Sequence, residues 1–168
     1  FDFVTSKKPG EFSQRELIKI IKQSIKIKSN IVKKDPKEKD LRKVLNFGHT
    51  IGHAVESLSW KTNEPLLHGE AVAIGMIAES NLALSNLRGC TAMLSKKDFE
   101  LIKRAITNAG LPTNIKNIKS EDIMKMILTD KKNSAGKINW SLPKKIGEVL
   151  VNVNVPKDLI IEAIKSVI

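Results

Sequence analysis

Arg42, Asn46, His49 and His53 are separated by four, three and four positions, so on a helix they fall along one stripe. Gly48 and Gly52, one turn apart in the same segment, would let another backbone approach closely. Such a stripe is expected to be enclosed, and an enclosed arginine with two imidazoles needs partners. His68 completes the set of three histidines, all within twenty positions. Clustered neutral imidazoles suit Zn²⁺ or a similar borderline ion, and a catalytic site of that kind keeps one coordination position for water or substrate. Spacing alone nominates His49 with His53. The competing reading makes one or more of the three a hydrogen-bonded core or helix-terminal residue. Lys28 and the pair Lys131-Lys132 are weaker candidates, because lysine in so lysine-rich a chain is ordinarily a solvated surface group.

Caps and periodicity indicate the elements that hold these residues. Ser13 with Glu16 forms a capping-box pattern ahead of an apolar period through Leu17, Ile20, Ile21, Ile25, Ile27, Ile31 and Val32, predicting a helix over 14–34. Asp35-Pro36 ends it, and Lys37 to Asp40 reads as an exposed loop. The histidine stripe then lies on a helix over 41–58, closed by Ser59 to Pro65. A third helix, apolar on most sides, runs from His68 to Leu87 and is expected to be buried in a bundle. Ser95 with Asp98 opens a fourth that Gly110-Leu111-Pro112 stops, and Ser120 caps a fifth ending near Asn133. Lys137 to Leu142 and Val149 to Val155 read as a hairpin around Pro143 to Gly147, and Pro156 suits the first turn of a closing helix. The expected fold class is mainly α: a multi-helix bundle with one small β-hairpin near the C-terminus, forming a single domain over residues 1–168.

Composition narrows the function. No apolar run approaches the roughly 18 residues of a membrane span. The single cysteine, Cys90, cannot make an internal disulfide, which fits a reducing, cytoplasmic setting. The formal charge of +11 is the outlier, with ten basic residues from Lys19 to Lys43 against Asp35, Glu38 and Asp40. Such a face attracts anions, whether a phosphorylated metabolite or nucleic acid, or is simply a lysine-rich surface. The absence of tyrosine and an aromatic content of 4% speak against the stacking platforms of single-strand binders, so no nucleic-acid partner is expected. The chain opens on Phe1 without a charged leader, and is expected to be part of a longer protein.

The stretch Leu41-Arg42-Lys43-Val44-Leu45-Asn46-Phe47-Gly48-His49-Thr50-Ile51-Gly52-His53-Ala54-Val55-Glu56 closely resembles a motif of the 3-dehydroquinate synthases, as does Leu67-His68-Gly69-Glu70-Ala71-Val72-Ala73-Ile74-Gly75-Met76. Weaker likeness extends upstream through Ser24 to Lys28 and Asp35. Downstream it runs through Gly110-Leu111-Pro112, Asp130-Lys131-Lys132 and Leu142-Pro143. The resemblance implies a helical C-terminal domain whose His49 and His68 are metal ligands, with His53 beside the metal in substrate contact or proton transfer. This assignment replaces the pair nominated by spacing. Lys28, Arg42, Asn46 and Lys132 are implied as substrate contacts. The metal would be Zn²⁺ or Co²⁺, and the family's third ligand, a glutamate upstream of Lys28, has no counterpart here. NAD⁺ would be held mainly by an N-terminal domain absent from this chain, whose sequence has no glycine-rich dinucleotide fingerprint.

The implied substrate is 3-deoxy-D-arabino-heptulosonate 7-phosphate, whose carboxylate and phosphate suit Arg and Lys while Asn reads hydroxyls. The implied product is 3-dehydroquinate, an intermediate of aromatic amino acid biosynthesis. The complete enzyme is expected to be a homodimer, and this chain alone is expected to be inactive. It should present a basic cleft lined by Lys28, Arg42, Asn46, His49, His53 and His68. A sister sugar-phosphate cyclase of the valiolone or inosose type, an iron-dependent alcohol dehydrogenase and a basic nucleic-acid-binding module are the alternatives. The first would retain the histidines and change the substrate contacts, the second needs no clamp for phosphate and carboxylate, and the third requires salt-dependent affinity.

Overall fold

The computed structural model describes residues 1–84, 94–129 and 138–168, and within them the fold is a mainly helical bundle with a small C-terminal hairpin. A short helix α1 (Asp2–Thr5) and a 3-10 turn (Pro9–Glu11) precede α2 (Gln14–Lys34). Both bonds of the expected capping box form: Ser13 Oγ accepts from the Glu16 N–H, and the Glu16 carboxylate accepts from the Ser13 N–H. Lys7, 2.7 Å away, is the main cause that holds the Glu16 carboxyl down to about 2, followed by the bonds from Ser13. The apolar period of α2 does not bury. Leu17, Ile18, Ile21, Ile25 and Ile27 stay exposed, because α2 packs chiefly on the 3-10 turn at Leu41–Asn46.

The centre of the bundle is the pair α3 (His49–Ser59) and α4 (His68–Leu84), surrounded by α5 (Lys96–Asn108), α6 (Ser120–Thr129), the hairpin and α7 (Lys157–Lys165). Small residues along α4, among them Ala71, Ala73, Gly75, Ala78 and Ala83, let neighbours approach on nearly every side. The fully buried Ile51, Val55, Ile74, Leu82, Ile123, Trp140 and Ile164 fill the gaps between α3, α4, α6, α7 and the hairpin. Each such side chain contributes about 1.5–3 kcal/mol of transfer free energy. α5 starts on Ser95, whose Oγ accepts from Asp98 N–H, and ends at Gly110 in a left-handed conformation, as expected.

Four details depart from the sequence expectations. The segment Leu41–Ser59 is not one helix: residues 41–46 form a 3-10 turn, and Gly48 at φ +82° reverses the backbone before α3 begins. The Gly48 N–H is taken by a buried carboxylate on α4 rather than by a carbonyl one turn back, so no helical ladder crosses this point. Ser120 does not cap α6; its hydroxyl donates to Glu121, and the Lys119 carbonyl receives the first N–H groups instead. Pro143 lies inside β1 (Trp140–Lys145), which pairs antiparallel with β2 (Glu148–Val153) through the tight turn at Ile146-Gly147. Pro156 precedes α7 as its N-cap instead of entering the first turn. The expected extensions of α4 to Leu87 and of α6 to Asn133, and the start of the hairpin at Lys137, lie outside the described residues.

Candidate functional site

His49 is the first residue of α3, and His53 follows one turn later. The helix start is built from below by α4. Gly48 and Gly52 meet its backbone: a Cβ on Gly52 would lie 3.0 Å from Val72 Cα. This is the close approach that the glycine spacing predicted, and Gly75 on α4 completes it by facing Gly48 and Gly52 in return. One turn beyond Gly75, Glu79 is fully buried, with Oε2 accepting from the Gly48 N–H at 2.6 Å and Oε1 from the Ile51 N–H at 3.0 Å. Burial pushes its carboxyl up to about 8, against the opposing pull of the backbone donors at Ile51, Gly48 and Thr50.

His68 is the first residue of α4. The chain leading to it is pinned at successive residues: Leu66 N–H donates to the buried Ser59 hydroxyl, and Leu67 N–H donates to the Glu70 carboxylate. The His68 ring lies 2.9 Å from Glu56 Oε2 through Nδ1, which turns Nε2 away from Glu56. His49 Nδ1 is 3.2 Å from the Phe47 carbonyl oxygen in the same manner. Both contacts are of the kind that fixes the tautomer and orientation of a metal-binding imidazole.

The three rings meet. Their centroids are 5.3 Å apart for His49 and His53, 5.6 Å for His49 and His68, and 5.8 Å for His53 and His68. One nitrogen from each can be chosen so that all three lie within 4.8 Å of one another. Tetrahedral Zn²⁺ with N ligands near 2.1 Å requires N–N separations of about 3.4 Å, a difference that side-chain rotation can close. His49 and His53 are half-buried and His68 is exposed, so the cluster faces outward with its coordinating edge accessible. The donor set therefore fits a borderline divalent ion.

Beside the cluster lies a cleft of about 370 Å³ that Asn46, His49, Thr50 and His53 share with Glu38, Lys43, Ser141 and Asn152, among others. It differs from the basic cleft expected from sequence: Lys28, Arg42 and His68 are not in its lining. Lys28 is exposed on α2. Arg42 sits on the 3-10 turn, where its Nη1 donates to the Pro36 carbonyl and its Nε lies 3.5 Å from Glu38. Asn46 Nδ2 donates to the same Glu38 carboxylate at 2.8 Å. Lys43 Nζ donates to Asn152 Oδ1, and the Lys43 carbonyl accepts from Ser141 Oγ, tying the 3-10 turn to the hairpin. Lys132 lies outside the described residues.

Glu38, Asn152 and Glu79 escaped the sequence reading. Glu38 lay in a charged stretch indistinguishable from a solvated loop. Its placement depends on Asp35, whose carboxylate accepts from the N–H groups of Lys39, Asp40 and Arg42 and is held below the usual carboxylate range chiefly by the Arg42 N–H. Glu38 itself adopts φ +53°. Asn152, at φ +57°, sits where the hairpin register shifts, and such a bulge re-aims a side chain. Glu79 did carry a signal: one carboxylate within a helix otherwise apolar on most sides needs buried donors.

Comparison with known proteins agrees with this geometry. A family model described as 3-dehydroquinate synthase C-terminal matches residues 2–133. Curated relatives called 3-dehydroquinate synthase include one from Thermodesulfovibrio yellowstonii, 44% identical over 83% of this chain and 37% of its own length. Another, from Thermoanaerobacter sp., is 43% identical over 92% of this chain and 41% of its own. The chain thus spans about 40% of the length of these relatives. Among solved structures, a 2-deoxy-scyllo-inosose synthase complexed with carbaglucose-6-phosphate, NAD⁺ and Co²⁺ has the same fold at a TM-score of 0.79 and 22% identity, over 98% of this chain and 45% of its own. A 2-epi-5-epi-valiolone synthase from Streptomyces hygroscopicus with NAD⁺ and Zn²⁺ bound follows at 0.74 and 22%, over 92% and 41%. With the family model covering most of its length and the histidine motifs converging in space, the chain belongs to the 3-dehydroquinate synthase C-terminal family.

Proposed function

We propose that this chain is the metal- and substrate-binding domain of a 3-dehydroquinate synthase, which converts 3-deoxy-D-arabino-heptulosonate 7-phosphate to 3-dehydroquinate and phosphate. The observation that carries the reading is the convergence of His49, His53 and His68 near the N-terminal ends of α3 and α4. His49 and His68 hold the ion, Zn²⁺ or Co²⁺, with a third ligand from the part of the protein outside this chain. The ion, when bound, supplies Lewis acidity toward substrate oxygens. Among the described residues the sheet is a single antiparallel pair, and the sequence has no glycine-rich strand-to-helix turn, so NAD⁺ does not fit this domain alone. The N-terminal remainder of the protein is assigned that role, and the chain by itself is expected to be inactive.

The residues around the cleft divide the remaining work. Arg42 and Asn46 bind the anionic and hydroxyl groups of the substrate, and Lys28 and Lys132 supply further positive charge in the complete protein. Glu38, now paired with Arg42 and Asn46, yields or shares them when a substrate carboxylate or phosphate arrives. His53, in the cleft beside the ligand histidines, relays a proton to or from a substrate hydroxyl.

The test is phosphate release from 3-deoxy-D-arabino-heptulosonate 7-phosphate by the product of the full open reading frame, with NAD⁺ and Zn²⁺ or Co²⁺. Metal-dependent release accompanied by ring closure is expected. No release from that substrate, but release from another phosphorylated sugar, would replace this reading with a sister cyclase.

A further inference from the structure

We propose that Glu79 is a positioning residue for the metal site: from inside α4 it fixes the backbone turn that presents His49. The inference rests on reading the histidine cluster as a metal site. Its basis is geometric. Glu79 is fully buried, and its two carboxylate oxygens take the N–H groups of Gly48 and Ile51, which bracket His49 on either side. These are among the donors that a helix start leaves without intrahelical partners. A carboxyl group buried between two apolar helices is costly unless such donors are present, and a leucine in its place would fill the core but leave those N–H groups unsatisfied.

The location makes this more than a capping contact. Gly48 turns through a left-handed conformation immediately before His49, and the His49 ring is oriented by the Phe47 carbonyl just upstream. Residues 47–51 therefore set where the imidazole points, and Glu79 is their anchor in the core. His68 begins the same helix that carries Glu79. α4 thus bears one candidate ligand directly and holds the other through Glu79, and the separation of His49 from His68 is set within this one element. His53, a turn further along α3, depends on that anchor less.

The test uses the full open reading frame and Co²⁺, comparing wild type with Glu79→Gln, Glu79→Asp and Ile164→Val, the last a core substitution on α7 that lowers stability at a residue outside the histidine cluster and the cleft lining. Co²⁺ affinity and the visible ligand-field spectrum are measured beside thermal unfolding. Glu79→Gln keeps one acceptor but sets an amide N–H₂ against a backbone donor, and it should weaken Co²⁺ binding about 10- to 100-fold with a shifted spectrum, as loss of an orienting partner does. Glu79→Asp keeps both acceptors, set back by one methylene, and should bind with intermediate affinity. Ile164→Val should lose stability and keep both affinity and spectrum. If wild type binds Co²⁺ and Glu79→Gln matches it, the positioning role is overturned while the metal reading stands. If Glu79→Gln does not fold, wild-type affinity in Glu79→Asp overturns the proposal in the same way. A folded wild type that binds no Co²⁺ overturns the metal reading and this proposal together.

Discussion

Replacing Gly75 by alanine should separate the two helices that carry the histidines. A Cβ at this position would lie 2.7 Å from the Gly52 nitrogen, closer still to the Gly48 carbonyl oxygen, and 3.0 Å from the Gly48 carbonyl carbon. Ordinary contact begins at 3.4 Å, so relief at Gly52 alone requires a shift of 3.4 − 2.7 = 0.7 Å. The obstructing atoms are backbone, so no rotamer change can absorb this shift; α3 must move away from α4 or the turn at Gly48 must deform. Overpacking of this kind costs typically 1–3 kcal/mol, and a backbone-on-backbone clash belongs at the top of that range, about 3 kcal/mol. For a chain of 168 residues that lowers Tm by roughly 6–12 °C. Gly69→Ala is the matched control on the same helix: its Cβ would meet nothing within 4 Å, and removing a helical glycine should be neutral or stabilising by up to about 1 kcal/mol. In urea or thermal unfolding, stability should therefore fall for Gly75→Ala and hold or rise for Gly69→Ala. A Gly75→Ala protein within about 0.5 kcal/mol of wild type would refute the claim that the glycine crossing sets the α3–α4 distance.

Two other outcomes follow from the site. Glu56→Gln should weaken metal affinity about 10-fold or more by loosening the His68 ring, measured by competition with a chelating dye, while unfolding stability changes little because the pair is solvent-accessible. Asp35 has a lowered carboxyl pKa in the folded chain, so its stabilising contribution is present above the ordinary value of 3.8 and is lost as pH falls through the lowered one. Amide exchange protection at Lys39, Asp40 and Arg42 should accordingly collapse in that acid window in wild type, and be absent at neutral pH in Asp35→Ala.

The legibility of this fold in its sequence follows the range of the forces involved. α2 and α5 begin where their capping serines predict, because a cap is a contact between residues three apart. The buried character of α4 was equally plain, since its apolar residues leave no polar face. The break at Gly48 was not, because it depends on a carboxylate thirty-one residues away taking the donor that would otherwise have continued a helix. The regular spacing of Arg42, Asn46, His49 and His53 therefore overstated their geometric unity: Asn46, His49 and His53 do share a cleft, whereas Arg42 turns toward Pro36 and Glu38. The exposed apolar face of α2 shows the opposite failure, in which a strong local period stays largely uncovered among the described residues. Clustering within twenty positions put His68 in the candidate metal set and motif resemblance paired it with His49, but no local contact brings positions nineteen apart together; the glycine crossing of α3 on α4 does so.

In the function proposed above, His49 and His68 hold the metal while His53 stands beside it. The direct measurement is Co²⁺ binding to the full open reading frame by visible absorption, with His49→Ala, His53→Ala and His68→Ala compared at fixed protein concentration. The account predicts loss of the ligand-field bands in His49→Ala and His68→Ala, and retention of Co²⁺ with impaired turnover in His53→Ala. Retained Co²⁺ binding in His49→Ala or His68→Ala, or its loss only in His53→Ala, would contradict it.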